Sequence, residues 1–249
     1  MNNSISRIIT LTKRNLKEII RDPLSLAFTI VLPLFMEILF YLIFHSMTSQ
    51  FEMKNLAPGI VVFAQSFLAL FTGMLIALDR SSSFLTRLYV SKTKSREFIL
   101  SYACSLIPLA LVQSLLFFAV GAILDSSIIS IGILYACLIS LVSALFFLGI
   151  GILIGSLCNE KSIGGVASIV IMGQSLLSGM WFPVDGMGKG FITLMKCLPF
   201  KNATLLVMNV MTGINDFKVD FLYPLLILLA YIIISFAIAI FAFKKNMKQ

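Results

Sequence analysis

The sequence has little of what most enzymes and metal sites require. Of its 249 residues only 12% are charged, one is a histidine, and four are cysteines that form no CxxC pair. A single histidine excludes most metal sites and histidine-dependent catalytic schemes, and scattered cysteines suggest no disulfide framework. A soluble domain of this length carries roughly twice this charge. With 59% hydrophobic residues and a mean hydropathy of +1.02, the chain is predicted to be an integral membrane protein.

Motifs for nucleotide binding and hydrolysis are also missing. The tripeptide Gly188-Lys189-Gly190 is superficially similar to part of a Walker A motif, but Gly190 stands where Ser or Thr is required. The sequence contains no HExxH and no GxSxG. We therefore expect no catalytic site and no cofactor bound by this chain. The formal net charge of +8 is typical of a membrane protein with basic cytoplasmic loops near lipid headgroups. We expect membrane lipids as partners and no nucleic acid.

What the chain does have is six apolar segments, each about 20 residues long and therefore able to cross a bilayer. They cover Leu24–Phe44, Pro58–Leu78, Ile99–Gly121, Ile131–Gly155, Ile163–Phe182 and Phe221–Phe243. Six spans place both termini on one side, and 14 of the 19 lysines and arginines fall on that side. The positive-inside rule then makes both termini cytoplasmic. The prediction is a single all-α membrane domain over residues 1–249, multi-pass in the plasma membrane.

Residues 4–22 are predicted to form an amphipathic helix at the membrane interface. At 100° per residue, six apolar side chains share one face and five basic side chains lie opposite. The apolar face holds Ile5, Ile8, Ile9, Leu16, Ile19 and Ile20, and the basic face holds Arg7, Lys13, Arg14, Lys17 and Arg21. Such a helix directs its basic face toward anionic lipid headgroups. Asp22-Pro23 would end it and begin the first span; a frayed basic tail is the alternative.

Glu37 is an acidic residue near the middle of the first predicted span. A carboxylate there costs several kcal/mol unless it is paired, protonated or solvated. It either faces a transport path, as a protonatable group, or is a neutral side chain bonded to a neighbouring helix. The second interpretation is favoured slightly, because proton relays use several acids and no other predicted span contains one.

Four further polar residues are candidates for lining a path: Gln65, Thr72, Gln174 and Ser178. The first two are seven residues apart and the last two are four apart, so each pair shares a helix face. The alternative for each is a hydrogen bond between helices. In the fourth span, Gly151-xxx-Gly155 predicts close packing against another helix.

The segment 181–220 contains two apolar pieces on either side of Pro199, each about 10 residues long and too short to cross. We expect short amphipathic or re-entrant helices at the outer surface, with a plain loop as the alternative. Trp181 stands where aromatic residues of the membrane interface are usual.

The segment 79–98 lies between the second and third spans and is strongly basic. As a helix, Ser81 to Tyr89 would present an apolar patch rimmed by arginines. Its members are Arg80, Phe84, Leu85, Arg87, Leu88 and Tyr89. Arginine and aromatic side chains anchor protein interfaces, so the patch predicts a protein partner at this cytoplasmic loop.

The order of these features resembles the permease subunit of type-2 ABC exporters, the group that includes bacterial antibiotic-export permeases. The similarity extends over about residues 5 to 245: "RDP" before a span with "LPL", a basic loop after the second span, then "LSGMWFPVDGMG" and "LPFKNATLLVMNVMTG" before the last span. Asp79-Arg80 and Arg87-Leu88 match the loop of the prototypes, whereas Val90-Ser91-Lys92 stands where proline is frequent.

The resemblance implies a dimer of permease subunits, identical or homologous, each bound to a separate ATPase subunit that holds ATP and magnesium. The N-terminal amphipathic helix and the loop 79–98, as the coupling helix, would take the force of the ATPase subunit. Spans 2 and 5 would line the path, and the outer re-entrant helices would close it. Apolar spans suit amphipathic or hydrophobic cargo such as a drug, a lipid or a peptide. Two alternatives stay open: a secondary transporter driven by protons through Glu37, and a regulatory membrane protein without transport.

Overall fold

A computed structural model describes residues 2–82, 94–182 and 187–246 of the chain. Within these ranges the protein is helical, with nine α-helices and no strand. The helices are α1 (Asn2–Arg21), α2 (Pro23–Phe44), α3 (Met53–Ser81), α4 (Ser95–Leu124), α5 (Ile131–Leu157), α6 (Glu160–Leu177), α7 (Lys189–Cys197), α8 (Pro199–Thr212) and α9 (Tyr223–Asn246). A π-helical segment, Phe217–Leu222, leads into α9.

Five of these helices are long and apolar enough to cross a membrane: α2, α3, α4, α5, and α9 with its π-helical start, counted over the described ranges. They confirm five of the six predicted spans, with ends that differ by a few residues. The fifth predicted span, Ile163–Phe182, is not among the helices long and apolar enough to cross, because α6 ends at Leu177 and begins with Glu160 and Lys161. Its 18 residues rise about 27 Å.

The two short apolar pieces before the last span form α7 and α8, which meet at an angle of 76°. Pro199 is the first residue of α8. Since proline has no N–H to donate and its ring excludes the preceding turn, it begins a helix but does not continue one. The pair is either one bent crossing, which makes up to six spans, or a re-entrant element.

The break between α1 and α2 lies where Asp22-Pro23 predicts it. Pro23 is the first residue of α2, and the Asp22 carboxylate accepts the backbone N–H of Ser25 at 3.2 Å. A side-chain oxygen at this position satisfies a backbone donor that the helix itself leaves open. The interface helix and the first span are therefore separate helices.

The helix α3 is the centre of the bundle, in contact with α2, α4, α5, α6 and α8. In the most apolar 18-residue stretch of α3, 78% of the residues are buried, against 17% in α2 and 22% in α9. The outer faces of α2 and α9 are apolar and exposed, as lipid-facing surfaces are. Examples are Phe35 on α2 and Phe241 on α9.

A glycine seam, formed by Gly151 and Gly155 of α5 against Ala69 and Gly73 of α3, brings these two helices together. A Cβ atom on Gly151 would lie 2.7 Å from the carbonyl oxygen of Ala69, and one on Gly155 would lie 2.8 Å from that of Gly73. Real Cβ atoms do not approach backbone so closely. The close packing predicted from Gly-xxx-Gly is confirmed, and any larger side chain would push the helices apart.

Replacing Gly151 with alanine tests the glycine seam. The new methyl group would overlap the backbone of α3, and overpacking of this kind costs roughly 1–3 kcal/mol. We expect Gly151→Ala to lower the midpoint of thermal unfolding in detergent.

The matched control is Gly165→Ala on α6, where an added Cβ meets no atom within 4 Å. Both variants gain the same helix propensity, so only packing distinguishes them. Equal unfolding midpoints for the two variants would contradict the seam.

Candidate functional site

Two of the three buried acids that the structure describes, Asp79 and Glu97, lie where α3 and α5 end and α4 and α6 begin, which we call the α1 end. Of the six residues predicted to bind a partner protein there, the structure describes Arg80. The other five, Phe84, Leu85, Arg87, Leu88 and Tyr89, lie outside the described residues. Their role stays a prediction from sequence. The structure describes the helix ends on either side of them, which are the end of α3 and the start of α4.

Arg80 lies in the last turn of α3 and holds the end of α5. Its Nη1 atom donates to the carbonyl oxygens of Gly155 at 2.8 Å, Ser156 at 2.8 Å and Cys158 at 3.1 Å. The last carbonyls of a helix lack intrahelical partners and carry partial negative charge, so a guanidinium stabilises them. Arg80 is half-buried and serves the fold as a cap on α5.

Asp79, the residue before Arg80, is directed toward α1 and α4 instead of α5. Its carboxylate is buried, with 8% of the side chain exposed, and accepts two bonds from the Arg14 guanidinium, one of them from Nη1 to Oδ2 at 2.9 Å. The Tyr102 hydroxyl donates to the same carboxylate. Burial lowers the pKa of Arg14, but the hydrogen bond and charge of Asp79 outweigh it, so the pKa lies above its usual value.

Glu97, in the first turn of α4, forms a second buried ion pair with α1. The Arg7 Nε and Nη2 atoms each donate to its carboxylate at 2.9 Å, and Ser4 donates to it as well. Only 2% of the Glu97 side chain is exposed. The hydrogen bond from Arg7 raises the pKa of that arginine. Two of the five arginines and lysines expected to face lipid headgroups therefore face buried acids.

The remaining surface of α1 agrees with the predicted interface helix. Ile5, Ile9 and Ile20 are at least half exposed, and Lys13 and Lys17 are exposed beside them. The side toward the bundle is mixed: Asn15 is buried, Thr12 contacts the Ser101 carbonyl at 3.4 Å, and Ile19, predicted to share the lipid-facing side, is buried in the core instead. The helix thus has three surfaces instead of the two that its sequence pattern predicts.

Gln65 lies in a buried polar network that connects three helices. Its Nε2 atom donates to Ser114 of α4 at 3.2 Å, and its Oε1 atom accepts the hydroxyl of Ser143 of α5 at 2.5 Å. Ser114 and Ser140 are 2.8 Å apart, oxygen to oxygen. These bonds satisfy polar groups inside an apolar bundle, as interhelical bonds in membranes do.

Thr72 is also buried against α5. Its hydroxyl donates to the Leu68 carbonyl at 2.5 Å, and its Cβ atom lies at the glycine seam, beside Gly151. Gln65 and Thr72 therefore share a face, as their spacing predicts, and that face is directed toward α5.

Gln174 and Ser178 are buried at the far end of α6. The Nε2 atom of Gln174 donates to the Thr204 hydroxyl of α8 at 3.1 Å, and its Oε1 atom has no hydrogen-bond partner within the described residues. The Ser178 hydroxyl accepts the backbone N–H of Met180 at 3.2 Å. These bonds hold α6 to α8 and close the turn after α6.

Glu37 is buried nearer to one end of the bundle than its position in α2 suggests. A Cβ atom on Gly121, near the end of α4, would lie 3.3 Å from its Oε1 atom, with Met53 and Ile128 beside it. Neither carboxylate oxygen has a hydrogen-bond partner among the residues that the structure describes. The glycine at position 121 of α4 leaves room for the Glu37 carboxylate. The neighbouring side chains of Met53 and Ile128 are apolar.

Trp181 lies in an aromatic cluster that sequence analysis did not predict. Its ring centroid is 4.4 Å from that of Phe40 and 6.0 Å from that of Phe63. Its indole N–H donates to the Ser175 hydroxyl at 2.8 Å. The side chain is half-buried, so it joins the ends of α2, α3 and α6 through ring packing.

An apolar groove of about 140 Å³ lies between α2 and α3. It is lined by Ser25, Phe28, Thr29, Phe67, Leu70, Phe71 and Met74. The sequence pattern did not distinguish these positions, because apolar residues are typical of any membrane helix. In the structure they are where α3 approaches the bundle surface.

A known protein family matches most of the chain. Residues 6–212 match the family model described as "ABC-2 type transporter". The matched range begins in α1 and ends at the last residue of α8. No curated protein matches the chain.

Replacing Gln65 with leucine separates its two possible roles. If Gln65 joins helices, Gln65→Leu removes two bonds and lowers the free energy of unfolding by roughly 1 kcal/mol, with little change in the choice of cargo. Thermal unfolding in detergent measures the stability of the variant, and transport into vesicles that contain it measures its choice of cargo. Unchanged stability with altered cargo preference would contradict the helix-joining role.

Proposed function

Because the chain belongs to the ABC-2 type transporter family, we propose that it is the membrane-spanning permease subunit of an ATP-driven exporter. The family match over residues 6–212 is the observation that carries this proposal. The sequence itself contains no complete Walker A motif. ATP and magnesium would therefore bind to a separate ATPase subunit, and this chain would have no catalytic site.

The ATPase subunit would dock at the α1 end, on the patch predicted between Phe84 and Tyr89. Support comes from how firmly the flanking helix ends are held. Asp79 and Arg80 fix the end of α3 to α1, α4 and α5, and Glu97 fixes the start of α4 to α1. A force applied between rigid helix ends is passed to the spans instead of being lost in local motion.

The α1 end would face the cytoplasm. Ion pairs and hydrogen bonds bring the end of α3, the starts of α4 and α6, and the end of α5 to one end of the bundle, beside α1. The end of α9 joins them, since Phe243 stacks on Phe98 with ring centroids 5.0 Å apart. The segments at this end hold 14 of the 19 lysines and arginines, which supports cytoplasmic termini in the plasma membrane.

The translocation path would form between two permease subunits, identical or homologous. Spans 2 and 5 correspond to α3 and α6, and their polar candidates Gln65, Thr72 and Gln174 are buried within one subunit. The surfaces that could meet cargo are apolar: the groove between α2 and α3, and the exposed Ile169 and Met172 of α6. Such surfaces suit an amphipathic or hydrophobic cargo, namely a drug, a lipid or a peptide-like molecule.

Charge substitutions on the predicted patch test docking. We expect Phe84→Asp or Leu88→Asp to weaken binding of the ATPase subunit and to uncouple its ATP hydrolysis from transport, because a carboxylate would replace an apolar anchor. Truncation of such an anchor costs roughly 2 kcal/mol or more, equivalent to a loss of affinity of about thirtyfold.

The matched control is Thr86→Asp, which adds the same charge on the opposite side of the predicted helix. Copurification of the two subunits and transport into vesicles are the measurements. Normal transport by Leu88→Asp, or an equal loss in Thr86→Asp, would contradict the assigned patch.

Glu37 distinguishes this function from a carrier driven by protons. Glu37→Gln keeps the shape of the side chain and cannot exchange a proton. An ATP-driven exporter should keep most of its transport with this variant, since the buried amide fits where the acid fits. Abolished transport with intact folding would favour the proton-driven alternative, and transport into inside-out vesicles, driven either by ATP or by a proton gradient alone, makes the comparison.

A further inference from the structure

The helix α1 is held to the bundle by two arginines on one side, Arg7 and Arg14. They are two turns apart, a rise of roughly 10 Å. Their acids lie on the two helices that flank the segment 83–93: Asp79 is in the last turn of α3 and Glu97 is in the first turn of α4. One helix therefore bonds to both ends of the segment.

The two acids are firmly committed to these pairs. The Asp79 and Glu97 side chains are 8% and 2% exposed, and a buried carboxylate that loses its partner is strongly unfavourable. Each acid also accepts a hydroxyl group, from Tyr102 in one case and from Ser4 in the other. The Arg7 side chain is 34% exposed and the Arg14 side chain is 26% exposed, so solvent screens part of the attraction.

The other basic residues of α1 have a different environment. Lys13 and Lys17 are exposed and form no ion pair within the described residues. They lie beside the exposed Ile9 and Ile20, on the surface suited to lipid headgroups. The same helix thus offers arginines that bind protein and lysines that do not.

We propose that Arg7 and Arg14 are positioning residues that make α1 a strut across both ends of the segment 83–93. A displacement of the end of α3 or the start of α4 would be shared by the other and by α1. In this arrangement α1 moves with the bundle without needing its own contact with the ATPase subunit. The proposal rests on the proposed function for the source of the displacement.

The attachment itself is tested on the purified permease alone, by hydrogen exchange of the α1 amides in detergent or nanodiscs. We expect Arg7→Gln with Arg14→Gln to raise exchange in α1 by roughly tenfold or more. The control, Lys13→Gln with Lys17→Gln, removes the same charge from the same helix and should leave exchange unchanged. Unchanged exchange in the arginine variant would overturn the strut.

A neutral pair keeps the test valid if the arginine variant does not fold. Arg14→Gln with Asp79→Asn removes both charges of this buried pair, and replacing both partners of a buried pair is commonly tolerated. Glu18, which also pairs with Arg14, keeps its charge, and 38% of its side chain is exposed. This variant should fold and still show faster exchange in the second half of α1, where the ion pair is gone. Exchange equal to that of the unchanged protein would overturn the role of Arg14.

Transmission is tested with the copurified ATPase subunit, as cargo transported per ATP hydrolysed. This ratio should fall severalfold in the double arginine variant and stay constant in the lysine control, with both variants still bound to the ATPase. Loosened α1 with a normal ratio would overturn transmission through the strut. If no ATPase copurifies with the unchanged chain, the proposed function fails, whereas hydrogen exchange still decides whether the arginines hold α1.

Discussion

The end of α3 depends on two adjacent side chains that point in different directions. Consecutive residues of a helix are 100° apart, so Asp79 and Arg80 reach different neighbours. Asp79 bonds to Arg14 of α1 and Tyr102 of α4, and Arg80 bonds to the last carbonyls of α5. A dipeptide of opposite charges thereby fixes three helices around a fourth, at the end of the bundle where the ATPase subunit is proposed to dock.

The remaining length of α3 is held by close packing and by a few polar bonds. The glycine seam brings α5 against its backbone, and the Gln65 network connects it to α4 and α5. In lipid the apolar surfaces of helices have no water to escape, so close contact and interhelical hydrogen bonds carry the association. The buried polar residues of α3 consequently bond to neighbouring helices, and apolar surfaces are left for the proposed cargo and the proposed second subunit.

Apolar length and proline position made most of the helices predictable. Five spans, the break at Asp22-Pro23 and the division at Pro199 follow from local chemistry that each segment carries by itself. The fifth span was overestimated, because the apolar stretch continues to Phe182 whereas α6 ends at Leu177. After Leu177 the chain turns at Ser178 and Gly179, and Gly179 has a positive φ of 76°, a conformation that ends a helix.

Composition and periodicity are enough to identify a helical membrane protein whose first helix is amphipathic, and the order of the motifs indicated the family that the residue match then showed. Which polar residues bond to one another became clear from the packing of the helices. Helix periodicity places Arg7 and Arg14 on a basic face, but it cannot distinguish a lipid headgroup from a buried acid some 65 to 90 residues away along the chain. The pairing depends on where α3 ends and α4 begins beside α1, which is a property of packing and not of any single segment.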